Sequence, residues 1–140
     1  MRAAARPYGL PSGTAVTLAF VDDAEMRTLN RRYRRKDKTT DVLSFGEAIP
    51  VRDRGVRAAL HIEAGRAQNG GSFDLGEILI SPKQAQKQAR RRKKPVVEEV
   101  AFLAAHGMLH LLGYEDETPA GYREMLRLGH DATRQKSVKR

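Results

Sequence analysis

Residues Val96 to Leu112 read VVEEVAFLAAHGMLHLL, and the rest of the chain is organised by what this stretch must do. Val96, Val97, Val100, Leu103, Ala104, Met108 and Leu111 recur at alternating spacings of three and four, the period of an α-helix with one broad apolar face. Pro95 stands before it and Gly113 after it, the usual start and stop of a helix. A helix this apolar needs a partner surface to bury it. Val100 to Tyr114 carries no formal charge, yet at 15 residues it is shorter than the roughly 20 needed to cross a bilayer. The reading is a buried helix of a soluble protein.

The partner surface is found upstream. Leu75 to Ser81 (LGEILIS) has the compact apolar pattern of a strand, and Pro82 suits the first turn of a following helix, Pro82 to Lys94, which is almost entirely polar. Thr14 to Val21 (TAVTLAFV) reads as an earlier strand. Asp22 and Glu25 cap a helix that carries Met26, Leu29 and Tyr33 at helical spacing. Val42 to Phe45 is a second short strand after a charged loop, Arg34 to Thr40. A last helix begins near Thr118-Pro119, carries Tyr122, Met125 and Leu126, and frays into the basic tail Arg134 to Arg140. Gly46 to Asp74, broken by Pro50 and several glycines, is read mostly as a surface excursion, with Val56 to Ala67 as a short helix or strand. The order β-α-β-β-α-α-α predicts an α/β (α+β) fold, a small mixed sheet packed by helices around the central apolar one. At 140 residues one domain over 1–140 is expected.

Composition narrows the chemistry. There is no cysteine, so disulfides, thiolate zinc sites, iron–sulfur clusters and thiol nucleophiles are excluded, and any metal must be held by His, Asp or Glu. The first 13 residues are interrupted by Pro7, Gly9, Pro11 and Gly13 and lack the apolar core of a secretory signal, so a cytoplasmic location without a membrane partner is expected. The net charge of +9 and a sequence pI of about 10.3 fit a nucleic-acid partner. The charge is also clustered: Arg31 to Lys38 holds six basic residues and Lys83 to Lys94 holds seven, together 13 of the chain's 26. With no Trp and few other aromatics, phosphate recognition is expected more than base stacking.

His106 and His110 are four apart and share a face of the apolar helix, the spacing at which two imidazoles reach one zinc ion. Burying two imidazoles without partners is costly, which favours a ligand role over a core one. Gly113 allows the chain to turn back, so that Asp116, or Glu115 beside it, comes over the rings. His-x3-His-x5-Asp supplies three protein ligands and leaves zinc's fourth position to water, the arrangement of a catalytic centre. His61 and His130 lack such a context and are expected at the surface.

The segment His106 to Asp116 (HGMLHLLGYED) resembles the signature H-G-x-L-H-L-x-G-Y-D-H of the YbeY endoribonuclease family. Leu29 to Phe45 is similar to that family's L-N-x-x-Y-R-x-K-D-x-P-T-D-V-L-S-F-P, whose last position falls on Gly46, and Leu75 to Ser81 to its L-G-D-I-x-I-S. Three blocks in the same order are far more specific than two histidines alone. The resemblance implies a bacterial zinc-dependent, single-strand-specific endoribonuclease of ribosomal RNA processing, with roles in 16S 3′-end maturation and ribosome quality control. It also implies that Arg34, by position in the Y-R-x-K-D block, is a functional residue; a guanidinium near a metal can hold a phosphate by two contacts and stabilise charge developing on it. Ribosomal RNA and the small ribosomal subunit are the implied partners, with Arg31–Lys38 and Lys83–Lys94 as RNA contacts. The chain departs from the pattern at Asp116, where the family has its third His, at Glu115 and Glu77 for Asp, and at Thr39 and Gly46 for Pro. Two rivals remain: a zinc metallopeptidase of metzincin-like spacing, which would need a Glu where Gly107 stands, and a non-catalytic ribosome-associated RNA-binding factor.

Overall fold

The structure is a computed structural model that describes residues 13–46, 62, 70–71, 73–114 and 117–138, with side chains of the last helix described as far as Asp131. Its elements follow the predicted order: β1 (Thr14–Phe20), α1 (Asp23–Arg34), β2 (Val42–Gly46), β3 (Phe73–Ile80), α2 (Pro82–Arg92), α3 (Val96–Leu111) and α4 (Pro119–Val138). The described strands form one mixed sheet of order β1-β3-β2. β1 runs parallel to β3, and β2 runs antiparallel to it with Ser44 opposite Ile78.

β3 is central, and its apolar residues serve both faces of the sheet. Ile78 and Ile80 join Leu75, Leu103, Met108, Leu109, Leu112 and Met125 in the main core, where α3 packs. Leu79 points the other way and meets Leu43 and Met26, under α1. The sheet thus separates α1 from α3, with the alternation of strand side chains carrying one residue set to each.

Close approach of α3 to the sheet depends on Gly107. A Cβ there would stand 2.7 Å from Ile78 Cγ2 and 3.0 Å from Ser44 Oγ. The Ser44 hydroxyl donates to the Gly107 carbonyl at 3.1 Å, so β2 and α3 are joined by a polar contact just where the histidines lie.

Several sequence expectations shift. β3 begins at Phe73, two residues before the predicted Leu75. Val96 and Val97 are exposed, Val97 by 78%, because the first turn of α3 extends beyond the sheet it later covers. Tyr33 is also exposed, though its ring meets Phe45 edge-on at 5.2 Å. α4 stays helical through Val138 instead of fraying at Arg134. Most of Gly46 to Asp74 lies outside the described residues, but Ile62, inside the stretch Val56 to Ala67 read as a short helix or strand, is helical and fully buried in the main core. His61 also lies outside the described residues. His130 is exposed, as expected, with its ring 4.8 Å from that of Phe102. Among the described residues no helix is long and apolar enough to cross a membrane.

Candidate active site

The two histidines project from the last turns of α3 toward a cleft of about 220 Å³ whose walls include Asn30, Arg34, Lys36, Lys38, Asp41 and Ser44. Arg34 is contributed by the end of α1, Lys36 and Lys38 by the loop after it, Asp41 to Ser44 by the start of β2. Each wall has a local reason to be where it is.

α1 starts with the Asp22 side chain accepting from the Glu25 N–H at 2.8 Å, the predicted cap. It ends when Arg35 takes a left-handed conformation, φ 59°, and its N–H donates to the Arg31 carbonyl. That turn throws Lys36 to Lys38 back along the helix. Asn30, only 2% exposed, holds the returning loop by donating from Nδ2 to the Lys38 carbonyl at 2.8 Å. Arg27 pairs with Asp37 at 2.9 Å on the outside of the same loop, and this pair, more than half exposed, contributes little beyond orientation. The Arg27 contact holds the Asp37 carboxyl below the ordinary carboxylate range.

A second network ties the loop to the rest of the fold. The Asp23 carboxylate accepts from Ser81 Oγ at 2.6 Å and from Gln84 Nε2 at 3.0 Å. The Ser81 hydroxyl is the main cause of its lowered pKa; burial opposes it, and Gln84, Lys83 and Lys87 add smaller lowering contributions. Thr39 reaches the Asp23 carbonyl at 3.4 Å, a contact that the proline at this position in the family pattern could not make. Asp41 accepts from Gln88 Nε2 at 2.9 Å and its backbone carbonyl accepts from the Ser81 N–H at 2.9 Å. The loop that carries the cations is therefore pinned at Asn30, Asp23 and Asp41.

Beyond the histidines α3 ends as its glycine requires. The Gly113 N–H donates to the His110 carbonyl at 3.0 Å and the Tyr114 N–H to the Leu109 carbonyl at 3.1 Å, with Gly113 at φ 97°. This is the Schellman arrangement, and it turns the chain sharply immediately after the second histidine. Asp116 and Glu115, the sequence-predicted third ligand and its alternative, follow Tyr114 and lie outside the described residues. Of the predicted site residues the structure thus brings together His106, His110 and Arg34.

The imidazole pair fits a shared metal ion. The ring centres are 4.9 Å apart and the planes nearly perpendicular. With metal–nitrogen bonds of about 2.0–2.1 Å and a ring radius of about 1.2 Å, each centre would stand about 3.2 Å from an ion that both rings faced, and 4.9 Å then corresponds to an angle of about 100°, close to tetrahedral. Among the described residues no group of three His, Cys, Asp or Glu is gathered closely enough to hold a metal.

Asn30, Asp41 and Ser44 were not singled out by the sequence reading. They sit inside stretches whose family resemblance was visible, but a polar residue that positions a loop has no pattern of its own in a single sequence. Glu99 was also missed: it is 2% exposed at the start of α3, with Arg92 Nη1 3.4 Å from each carboxylate oxygen.

The sequence matches the endoribonuclease YbeY family over residues 1–136. Similar proteins bearing the name Endoribonuclease YbeY include that of Moorella thermoacetica, 42% identical over 125 residues that cover 89% of this chain and 74% of the relative. That of Geobacillus thermodenitrificans is 38% identical over the same length and coverage, and that of a Picosynechococcus species 40% identical over 115 residues, 81% of this chain and 63% of the relative. In three dimensions the chain is similar to a Thermotoga maritima protein solved in solution, with a TM-score of 0.53 at 20% identity over 99% of this chain and 79% of that one, a likeness of fold. Since the match runs through the loop of Arg34, the central strand and the histidine helix alike, the chain belongs to the endoribonuclease YbeY family.

Proposed function

We propose that this protein is a zinc-dependent, single-strand-specific endoribonuclease of ribosomal RNA processing, acting in the cytoplasm on the small-subunit RNA in 16S 3′-end maturation and ribosome quality control. The observation that carries the reading is the convergence of His106, His110 and Arg34 on one cleft that Lys36 and Lys38 also line. Two imidazoles placed for a metal beside three cations suit a phosphodiester and little else of comparable charge.

His106 and His110 would hold the ion together with a carboxylate of Asp116 or Glu115. When bound, zinc supplies Lewis acidity toward a phosphoryl oxygen and a water that ionises near neutral pH. Arg34 grips the scissile phosphate through two N–H donors and stabilises charge that builds on its oxygens. Lys36 and Lys38 attract neighbouring phosphates and favour a strand over a lone nucleotide. Asn30 keeps these cations in place by its bond to the Lys38 carbonyl. The cleft is open and polar, with no Phe, Tyr or Trp among the described residues that line it, so an unpaired strand is recognised by its backbone more than by its bases.

The peptidase alternative lacks its base. A glutamate next to the first histidine would have to stand at position 107, where even a Cβ would be 2.7 Å from Ile78. The RNA-binding factor without catalysis is separated from the nuclease by experiment. Purified protein is analysed for zinc and assayed on single-stranded ribosomal RNA, beside His106→Ala, Asp116→Ala and Arg34→Ala. Zinc retained by the wild type and by Arg34→Ala but lost from the two ligand variants, with cleavage only in the wild type, is the expected result. Equal cleavage by all four proteins, or none by a zinc-loaded wild type, overturns it. The product termini then tell attack by water from attack by the 2′-hydroxyl.

A further inference from the structure

The second basic cluster does not line the cleft. On α2 the inward face is made of Ala85 and Ala89, both buried, while Lys83, Lys87, Arg90 and Arg91 are exposed. Among the described residues these four make no ion pair, and the helix contains no acidic residue. Lys83 even stands in the first turn, where the helix dipole disfavours a cation. The Asp23 carboxylate, whose pKa Lys83 and Lys87 help to lower, offsets part of that cost.

What sets this stripe apart from an ordinary solvated face is where the helix is fastened. Along one edge of α2, Gln84 donates to Asp23 and Gln88 donates to Asp41, and Asp41 is itself a wall of the cleft. At 100° per residue, Lys83, Lys87 and Arg91 lie beside that glutamine edge on its solvent side. The Asp41 carboxylate, at the crossing from cleft to stripe, is engaged on both oxygens, by Gln88 and by Thr40 at 3.3 Å, and Asp23, farther along the same edge, accepts from Ser81 and Gln84. A polyanion leaving the cleft on this side meets cations again directly.

We propose that Lys83, Lys87 and Arg91 form a track for the phosphates of the RNA strand flanking the cleavage position, continuous with the His106–His110 cleft across Asp41. This rests on the reading of the protein as a ribonuclease. An 11-residue helix is about 16 Å long, so the track holds several nucleotides beyond those at the cleft. It raises affinity for long strands and leaves the chemistry of the cleft untouched.

The test compares the wild type with the triple variant Lys83→Gln/Lys87→Gln/Arg91→Gln, whose new residues keep helix propensity, and with the control Arg123→Gln/Arg127→Gln on α4. Binding of 2′-O-methylated single-stranded RNAs of about six and about twenty nucleotides, spanning the range of common single-strand site sizes, is measured from low to high salt. Cleavage is assayed on unmodified RNAs of both lengths. The wild type is expected to bind the long strand at least about tenfold tighter, and the triple variant to lose that advantage, its log–log salt slope falling by about 2 at about 0.7 per lost phosphate contact. Binding and cleavage of the short strand stay as in the wild type. An unchanged slope in the triple variant overturns the track, and so does an equal loss in the α4 control, which would make the effect one of net charge. A wild type that cleaves neither strand while stripe-dependent binding of the long one persists supports the track and overturns the nuclease reading instead.

Discussion

The two basic segments look alike in sequence and behave differently in the fold. The first covers the last turn of α1 and the loop after it, the second the whole length of α2, and each helix is capped at its start by a polar side chain, Asp22 for α1 and Ser81 for α2. Each helix ends on a basic residue forced into the left-handed region, Arg35 at φ 59° and Lys93 at φ 55°. After α1, however, the chain folds back under Asn30 and delivers Lys36 and Lys38 to the histidines, whereas after α2 it passes through Pro95 into α3 and leaves the helix's charges facing solvent. Charge density did not decide which cluster joins the site. One buried asparagine and the direction of the following loop did.

The largest effect expected to break this comparison is on catalysis. Arg34→Ala should lower kcat/KM for RNA cleavage about 10²–10³-fold, the cost of removing one donor from a developing oxyanion, while Lys83→Gln, a like change of charge in the other cluster, changes the rate on a short RNA less than twofold. Comparable losses from both would show that the clusters act only through the overall field. Next in size is the seat of the histidines. Gly107→Ala forces a methyl against Ile78 and Ser44 and should cost about 1–3 kcal/mol, as overpacked sites do, read as a lower midpoint in urea with zinc affinity reduced alongside. Asn30→Ala should cost about 1 kcal/mol for the lost hydrogen bond and reduce cleavage more than it reduces stability, since the freed loop carries Lys36 and Lys38; an activity loss no larger than that of Gln88→Ala would remove the asparagine from its positioning role.

The pH dependence of stability distinguishes the anchors further. Asp23 has a folded-state pKa below its ordinary value, chiefly through Ser81, so the folded protein binds fewer protons here than the unfolded chain does. Its contribution is fully present above about pH 4 and is lost as the pH falls through the lowered value. Asp23→Asn should flatten that part of the acid-unfolding profile and leave the region near neutrality unchanged in slope, as followed by circular dichroism against pH.

The order of elements and the histidine pair were legible because they rest on periodicity: the three-four spacing of α3, the compact β3, the prolines and glycines at helix ends. Positions where a residue acts through one neighbour were not. Asn30 lies on α1 between charged residues, and only the return of the Lys38 carbonyl explains its burial. Val96 and Val97 continue the apolar pattern of α3 past the edge of the sheet, so hydropathy alone assigned them to a core that ends before them. Glu99 reads as a surface charge until Arg92 is brought beside it by the turn at Lys93.

The smallest effect tests the shared feature of the two clusters. A non-glycine residue in the left-handed region pays a steric penalty that glycine avoids, partly offset by the greater freedom glycine has when unfolded. Lys93→Gly should therefore stabilise the protein by about 0.5–1 kcal/mol, with RNA cleavage unchanged, because α3 is held against the sheet by its own packing around Gly107 and the main core. Arg35→Gly removes the same strain, yet its turn aims the loop of Lys36 and Lys38, and a freer pivot there spends part of the gain in orientation. If the two glycine variants raise the melting midpoint alike but only Arg35→Gly slows cleavage, the left-handed residue at the end of α1 serves the site and that at the end of α2 is merely tolerated.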